Sequence, residues 1–131
     1  MCGILGTYDI NGLDEFLIKS QLDIINFRGP DNSDYYINDN VAIGSNRLSI
    51  RDISNNGNMP LKSTCGKYII VFNGEIYNSS SLRQDLLNSG FRFKGTSDTE
   101  VLLNLYIKHR NKCLKYLSGM FSFCIYNRNR S

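Results

Sequence analysis

Tyr68 to Phe72 reads Tyr-Ile-Ile-Val-Phe, a continuous β-prone run with no polar alternation. A strand made from it has two apolar faces and needs cover on both, which excludes a sheet with one wet face. The rest of the chain offers such cover. Ile4 to Tyr8, between Gly3 and Asp9, reads as a buried first strand, and Asp14 to Asn26 places Phe16, Leu17, Leu22 and Ile25 at helical spacing before Arg28-Gly29-Pro30-Asp31 stops the helix. Tyr35 to Ile37 and Val41 to Ile50 form a predicted hairpin through Asn38-Asp39-Asn40. Asn73-Gly74 is the dipeptide most tolerant of positive φ, so the strand is expected to end there in a tight turn that reverses the chain.

Two further helices are legible. Asn78-Ser79-Ser80-Ser81 supplies N-cap residues for one with Leu82, Leu86 and Leu87 on its apolar face and Gly90 as C-cap. Ser97-Asp98-Thr99-Glu100 has the spacing of a capping box and precedes Val101, Leu102, Leu105 and Tyr106. Met120 to Tyr126 alternates Phe121, Phe123 and Ile125 with Ser122, Cys124 and Tyr126, as a strand with one buried face does. Two-sided apolar strands with amphipathic helices imply an α/β (α+β) fold in which two packed sheets carry helices outside, layered αββα.

At 131 residues the chain suits one domain, with roughly two thirds of its unfolded surface buried. No run reaches the roughly eighteen apolar residues of a membrane span, and Met1-Cys2-Gly3-Ile4 is no secretory signal, so a cytoplasmic protein without membrane contact is expected. Cys2, Cys65, Cys113 and Cys124 are scattered without C-x-x-C spacing, which predicts free thiols and no structural metal. Net charge is +3, but Arg28, Arg47, Arg51, Lys62, Lys67, Arg83, Lys94 and Lys108 are interspersed with acidic residues. Only Lys108 to Lys115 and the Arg128/Arg130 end are locally basic, and no nucleic-acid partner is expected. The one histidine, His109, falls late in a helix, where it complements the helix dipole.

Cys2 becomes the first residue if Met1 is removed, which puts a free α-amine beside its own thiol. Such an amine titrates near pH 8, so a fraction of it is neutral at pH 7 and can take the thiol proton directly or through a water. Position alone proves little, because a small hydrophobe at the start of a strand is the commoner reading of a lone Met-Cys.

Met1-Cys2-Gly3-Ile4, Arg28-Gly29-Pro30-Asp31, Asn46-Arg47-Leu48-Ser49-Ile50, Phe72-Asn73-Gly74-Glu75-Ile76-Tyr77-Asn78, Gly95-Thr96-Ser97-Asp98-Thr99-Glu100 and Leu117-Ser118-Gly119-Met120-Phe121 follow one another along nearly the whole chain. In that order they resemble the glutaminase domain of class II glutamine amidotransferases of the asparagine synthetase family. Arg47-Leu48-Ser49-Ile50 and Asn73-Gly74-Glu75-Ile76-Tyr77-Asn78 resemble that branch more than the sugar-phosphate or phosphoribosyl branches. Phe27 departs from the pattern, standing where the family usually has a histidine.

The resemblance implies an N-terminal-nucleophile hydrolase sandwich of two mainly antiparallel sheets. It makes Cys2 the nucleophile and gives the oxyanion hole to the Asn73 side chain and the Gly74 N–H. Free glutamine also presents an α-carboxylate and an α-ammonium; Arg47, with its planar fork, answers the first, and Asp98, with Glu75 as a second acceptor, answers the other. Leu48, Ile50 and Gly74 add main-chain contacts.

The implied reaction is hydrolysis of glutamine to glutamate and ammonia through a γ-glutamyl thioester on Cys2, with no metal or cofactor. The ammonia would serve ATP-dependent synthesis of asparagine from aspartate in a synthetase domain carried on the same longer chain or on a separate subunit, the only place for ATP and magnesium. Another acceptor, such as a sugar acid of a surface polysaccharide, and a silent glutamine-binding module are the alternatives. Residues 2–131 are expected to be an amidotransferase domain lacking its C-terminal strands, since Asn127-Arg128-Asn129-Arg130-Ser131 follows the last strand without a capping element and no Gly-rich phosphate loop is present. The open edge would favour association, a homodimer included.

Overall fold

A computed structural model describes residues 1–129. In chain order the elements are β1 (Gly3–Tyr8), α1 (Glu15–Ile24), β2 (Asn32–Ile37), β3 (Val41–Arg47), β4 (Leu61–Lys62), β5 (Tyr68–Ile76), α2 (Ser79–Asn88), α3 (Asp98–His109) and β6 (Gly119–Asn127). They form two antiparallel three-stranded sheets, β1-β3-β2 and β4-β5-β6. β5 packs against β1 and β3 on one side and α3 on the other, while α1 covers the far face of the first sheet. The layers are therefore α1, sheet, sheet, and α2 with α3: the expected αββα sandwich. Among the described residues no helix is long and apolar enough to cross a membrane.

The two-faced strand sits where its composition requires. Ile69, Ile70 and Val71 are wholly buried, in one core with Ile43 of β3, Leu82 and Leu86 of α2, and Val101, Leu102 and Leu103 of α3. A smaller core joins Ile18 and Leu22 of α1 to Ala42 of β3. The helix therefore turns Ile18 and Leu22 inward, whereas Phe16, assigned to the apolar face from spacing, is 76% exposed. β1 is likewise an edge strand, half-buried at Ile4 and Leu5 and exposed at Tyr8, and not the buried strand its apolar run suggests.

Asn73-Gly74 is not a turn. β5 runs straight through it, with Asn73 opposite Ser122 and Gly74 opposite Phe121 on β6. Gly74 has φ +145°, and a Cβ there would strike the Met120 carbonyl oxygen and Phe121 Cα. The tolerance for positive φ serves a close approach of two strands and not a reversal. Gly119 mirrors it from β6, with φ +151° and the Glu75 carbonyl oxygen where its Cβ would lie. β3 ends at Arg47, so Leu48 to Ile50 leave the ladder as loop.

The helix caps follow the sequence with two exceptions. Ser97 Oγ accepts from the Glu100 N–H at 3.3 Å, but the Glu100 carboxylate accepts from the Lys94 and Gly95 N–H groups at 2.6 and 2.9 Å instead of completing a capping box. Asn78 starts α2 without a side-chain cap: its amide accepts from the Ser118 N–H at 3.0 Å and donates to the Tyr116 carbonyl at 2.7 Å, tying α2 to the start of β6. Gly90, just past α2, donates to the Leu87 carbonyl as a C-terminal cap does. All four cysteines are free thiols. Lys108 donates to Ser89 and Arg128 to the Gly66 carbonyl, so these basic groups are engaged locally; Arg130 and Ser131 lie outside the described residues.

β6 turns Phe121, Phe123 and Ile125 toward the core as its alternation predicts, though it only half-buries them, and it is the edge of its sheet among the described residues. Truncating the central strand tests the layered core. Ile70→Ala is expected to lower unfolding free energy by about 2–5 kcal/mol, and Phe16→Ala by less than about 0.5 kcal/mol, measured by denaturant titration.

Candidate functional site

The loop after β3 and the C-terminal half of β5 open together into a cavity of about 380 Å³, within the roughly 300–1,000 Å³ usual for small-molecule sites. Cys2, Arg47, Leu48, Ile50, Asn73, Gly74, Glu75 and Asp98 all line it. Residues spread from position 2 to position 98 thus converge on one space. His109 does not take part; its ring stacks on Tyr116, 4.4 Å between centroids.

Cys2 is held at the cavity by its backbone and by the strand-end loop. Arg28 Nε donates to the Cys2 carbonyl at 3.2 Å, and the Leu48 N–H approaches Cys2 Sγ at 3.4 Å. The turn that carries Arg28 is itself clamped: the Asp31 N–H donates to the Arg47 carbonyl at 3.0 Å, and Asp31 Oδ2 accepts from the Ser49 N–H at 2.7 Å. Gly29 makes the clamp feasible, because a Cβ there would overlap the backbone of Asn46 and Arg47. Phe27 next to it is 80% exposed and does not line the cavity.

Arg47 is 5% exposed, with Nη1 donating to the Ser54 carbonyl at 2.8 Å and to Asn58 Oδ1 at 2.7 Å. Its Nη2 donates to no protein group among the described residues. A guanidinium fixed on one side and open on the other can receive a carboxylate. Asn73 likewise has its side-chain amide unengaged by other protein groups among the described residues, while lining the cavity beside Gly74.

Asp98 is the first residue of α3 and nearly buried. Its Oδ2 accepts from the Ile76 N–H at 2.8 Å, which joins the helix start to the end of β5. Its Oδ1 accepts from Arg51 Nη1 at 3.2 Å, and Arg51 Nη2 donates to Glu75 Oε1 at 2.5 Å. The Glu75 hydrogen bond, with the Asp98 charge behind it, pushes the Arg51 guanidinium up from its ordinary value. Arg51 therefore occupies the space between the two carboxylates assigned to an ammonium.

Arg51 and Asp52 were not among the residues singled out from sequence. Asp52 is buried at the cavity wall, accepting from the Ser54 N–H at 2.9 Å, the Ser54 hydroxyl at 2.5 Å and the Thr96 N–H at 2.7 Å. Those bonds, the Ser54 hydroxyl foremost, hold its carboxyl below the usual carboxylate range. Nothing local marked either residue, since Arg51 meets partners 24 and 47 positions away and Asp52 meets Thr96 at a separation of 44.

The model of a family described as glutamine amidotransferase domain matches residues 1–131. The chain is 42% identical over 134 residues to the glutamine-hydrolysing asparagine synthetase 1 of Bacillus subtilis, covering 98% of this chain and 21% of that protein. It is 38% identical over 130 residues to the glutamine-hydrolysing asparagine synthetase B of Escherichia coli, covering 97% and 23%. A solved structure of the glutamine phosphoribosylpyrophosphate amidotransferase from B. subtilis, complexed with ADP and GMP, superposes with a TM-score of 0.59 at 27% identity over 70% of this chain and 22% of that one. The chain thus spans about a fifth of the length of the curated relatives it matches.

Asp52 gives the site a pH signature. Its folded pKa is depressed, so its stabilisation is complete above the unfolded value of about 4 and is lost as pH falls through that value toward the folded one. Asp52→Asn lacks this component. The stability gap between parent and variant, from denaturant midpoints, is expected to be constant from pH 7 to about 5 and to narrow at lower pH.

Proposed function

The chain belongs to the glutamine amidotransferase domain family, in the branch of the glutamine-hydrolysing asparagine synthetases, and from that premise we propose that it hydrolyses glutamine to glutamate and ammonia at Cys2. The observation that supports this reading is the convergence of Cys2, Arg47, Asn73 and Asp98 on one cavity. Each answers a separate demand of amide hydrolysis on a free amino acid.

In this reading Arg47 Nη2 takes the α-carboxylate of glutamine, and its buried anchorage on Ser54 and Asn58 fixes where the amino-acid end sits. The side-chain amide then extends toward Cys2. With Met1 removed, the α-amine of Cys2 takes the thiol proton, and the thiolate attacks the amide carbon. Negative charge appears on the amide oxygen, where the Asn73 amide and the Gly74 N–H serve as donors. The α-ammonium returns its proton to the leaving nitrogen, ammonia departs, and a water, deprotonated by the same amine, releases glutamate from the thioester. The arrangement needs no metal, because nucleophile, base and oxyanion donors all come from the chain. Leu48 and Ile50 contribute main-chain contacts along the substrate.

The ammonia acceptor lies outside these residues. We assign it to an ATP- and magnesium-dependent synthetase domain that forms asparagine from aspartate, on the same longer chain or a separate subunit, in the cytoplasm. Residues 2–131 are then the amidotransferase part, and the β6 edge is where further sheet structure or a second copy would add.

Ammonia release from glutamine tests the reading. Cys2→Ala is expected to abolish it, and retention of Met1, verified by intact mass, to do nearly the same, because the base is then an amide; normal turnover with Met1 in place would refute the mechanism. Asn73→Ala should lower kcat by about 10²–10³ with little change in KM, since the oxyanion exists only in the transition state. Arg47→Ala should instead raise KM first.

A further inference from the structure

The cavity has three carboxylates and two guanidinium groups on its wall, and they are not equally available. Asp52 is saturated by Ser54 and Thr96, and Arg47 is anchored by Ser54 and Asn58. That leaves Glu75 and Asp98 as the acidic end of the site, and a cation of the chain already bridges them. Arg51 reaches Glu75 Oε1 at 2.5 Å, Asp98 Oδ1 at 3.2 Å and the Ser79 hydroxyl at 3.2 Å. Asp98 has its other oxygen on the Ile76 N–H.

We propose that Arg51 is a resident competitor of the substrate's α-ammonium, and that it sets the specificity of the cavity at its amino end. The inference rests on the glutaminase reading above and adds a specificity-determining residue to it. An ammonium entering between Glu75 and Asp98 meets a guanidinium of like charge, so it binds only as Arg51 leaves. The loop permits that exchange. Hydrogen bonds hold the chain on both sides of Arg51, the Ser49 N–H on Asp31 and the Asp52 carboxylate on the Thr96 N–H, so the Arg51 side chain can swing while its neighbours stay in place. Its side chain is 46% exposed and Glu75 53%, which leaves water in reach to receive the displaced group. The counterpart is that a glutamine whose α-amine is acylated has no charge to place there, and leaves Arg51 seated.

Two consequences separate this role from a structural one. Free glutamine binds less tightly than the two carboxylates alone would allow, and discrimination against Nα-blocked glutamine is weak. The test compares the parent protein with Arg51→Leu and Arg51→Lys, each freed of Met1, using L-glutamine and Nα-acetyl-L-glutamine as substrates and ammonia release as readout. Arg51→Leu is expected to lower KM for L-glutamine about fivefold, the scale of one exposed ion pair, with the change in KM and not in kcat. Its preference for L-glutamine over Nα-acetyl-L-glutamine, as a ratio of kcat/KM, rises by about the same factor. Arg51→Lys keeps a cation at the carboxylates and stays near the parent. Calorimetric titration of L-glutamine into Cys2→Ala and Cys2→Ala/Arg51→Leu reads the same shift without turnover. Ammonia release with an unchanged or raised KM in Arg51→Leu overturns the inference and leaves the glutaminase reading standing. Neither ammonia release nor glutamine binding in any variant overturns both.

Discussion

The burial of β5 on both faces is the constraint from which the rest of the architecture follows. A strand reading Tyr-Ile-Ile-Val-Phe is stable only between two apolar layers, and the chain supplies one as the β1-β3-β2 sheet and the other as α2 and α3. The same strand changes character after Phe72. The next three residues, Asn73, Gly74 and Glu75, are polar or small and emerge from the core at the cavity before Ile76 returns to it. This part of the cavity wall is thus carried by the most buried element, which gives Asn73 and Gly74 a rigid mount while leaving them accessible.

Cys2, the proposed nucleophile, is located differently. Cys2 precedes β1 and has no element of its own, so its position depends on contacts made to it by others: the Arg28 guanidinium on its carbonyl and the Leu48 N–H near its sulfur. Those groups are in turn held by Asp31, which bonds the chain at Arg47 and Ser49. The Arg-Gly-Pro-Asp segment therefore acts as a bracket between the chain start and the end of β3. Its value lies in backbone recognition, which is indifferent to whether residue 2 carries a thiol.

Sequence alone carried the layered fold because burial leaves a periodic trace: the uniform run at Tyr68 to Phe72, the alternation at Phe121, Phe123 and Ile125, and the cap at Ser97 are all local signals. The residues lining the cavity were legible only through resemblance, since no periodicity joins Cys2 to Asn73 or Asp98. Where local signals misled, a long-range contact had taken over the residue. Asn73-Gly74 has the chemistry of a turn, yet pairing with β6 keeps it extended. Glu100 has the spacing of a capping box, yet its carboxylate closes the Lys94-Gly95 loop. Phe16 has helical spacing with Leu22, yet Ile18 faces the sheet in its place. Arg51 was invisible for the same reason, its partners being set by tertiary structure.

The paired glycines of β5 and β6 have a bearing on alignment. Gly74 lies against the backbone at Met120 and Phe121, and Gly119 against the backbone at Glu75 and Ile76. A side chain at either point would collide with main-chain atoms, which cannot rotate away. Sliding β6 along β5 by one or two places would bring a residue with a Cβ into one of these notches, so the two strands fit together like a keyed joint with one permitted setting. Every residue of β6 then inherits its height above the cavity from two positions that have no side chain at all.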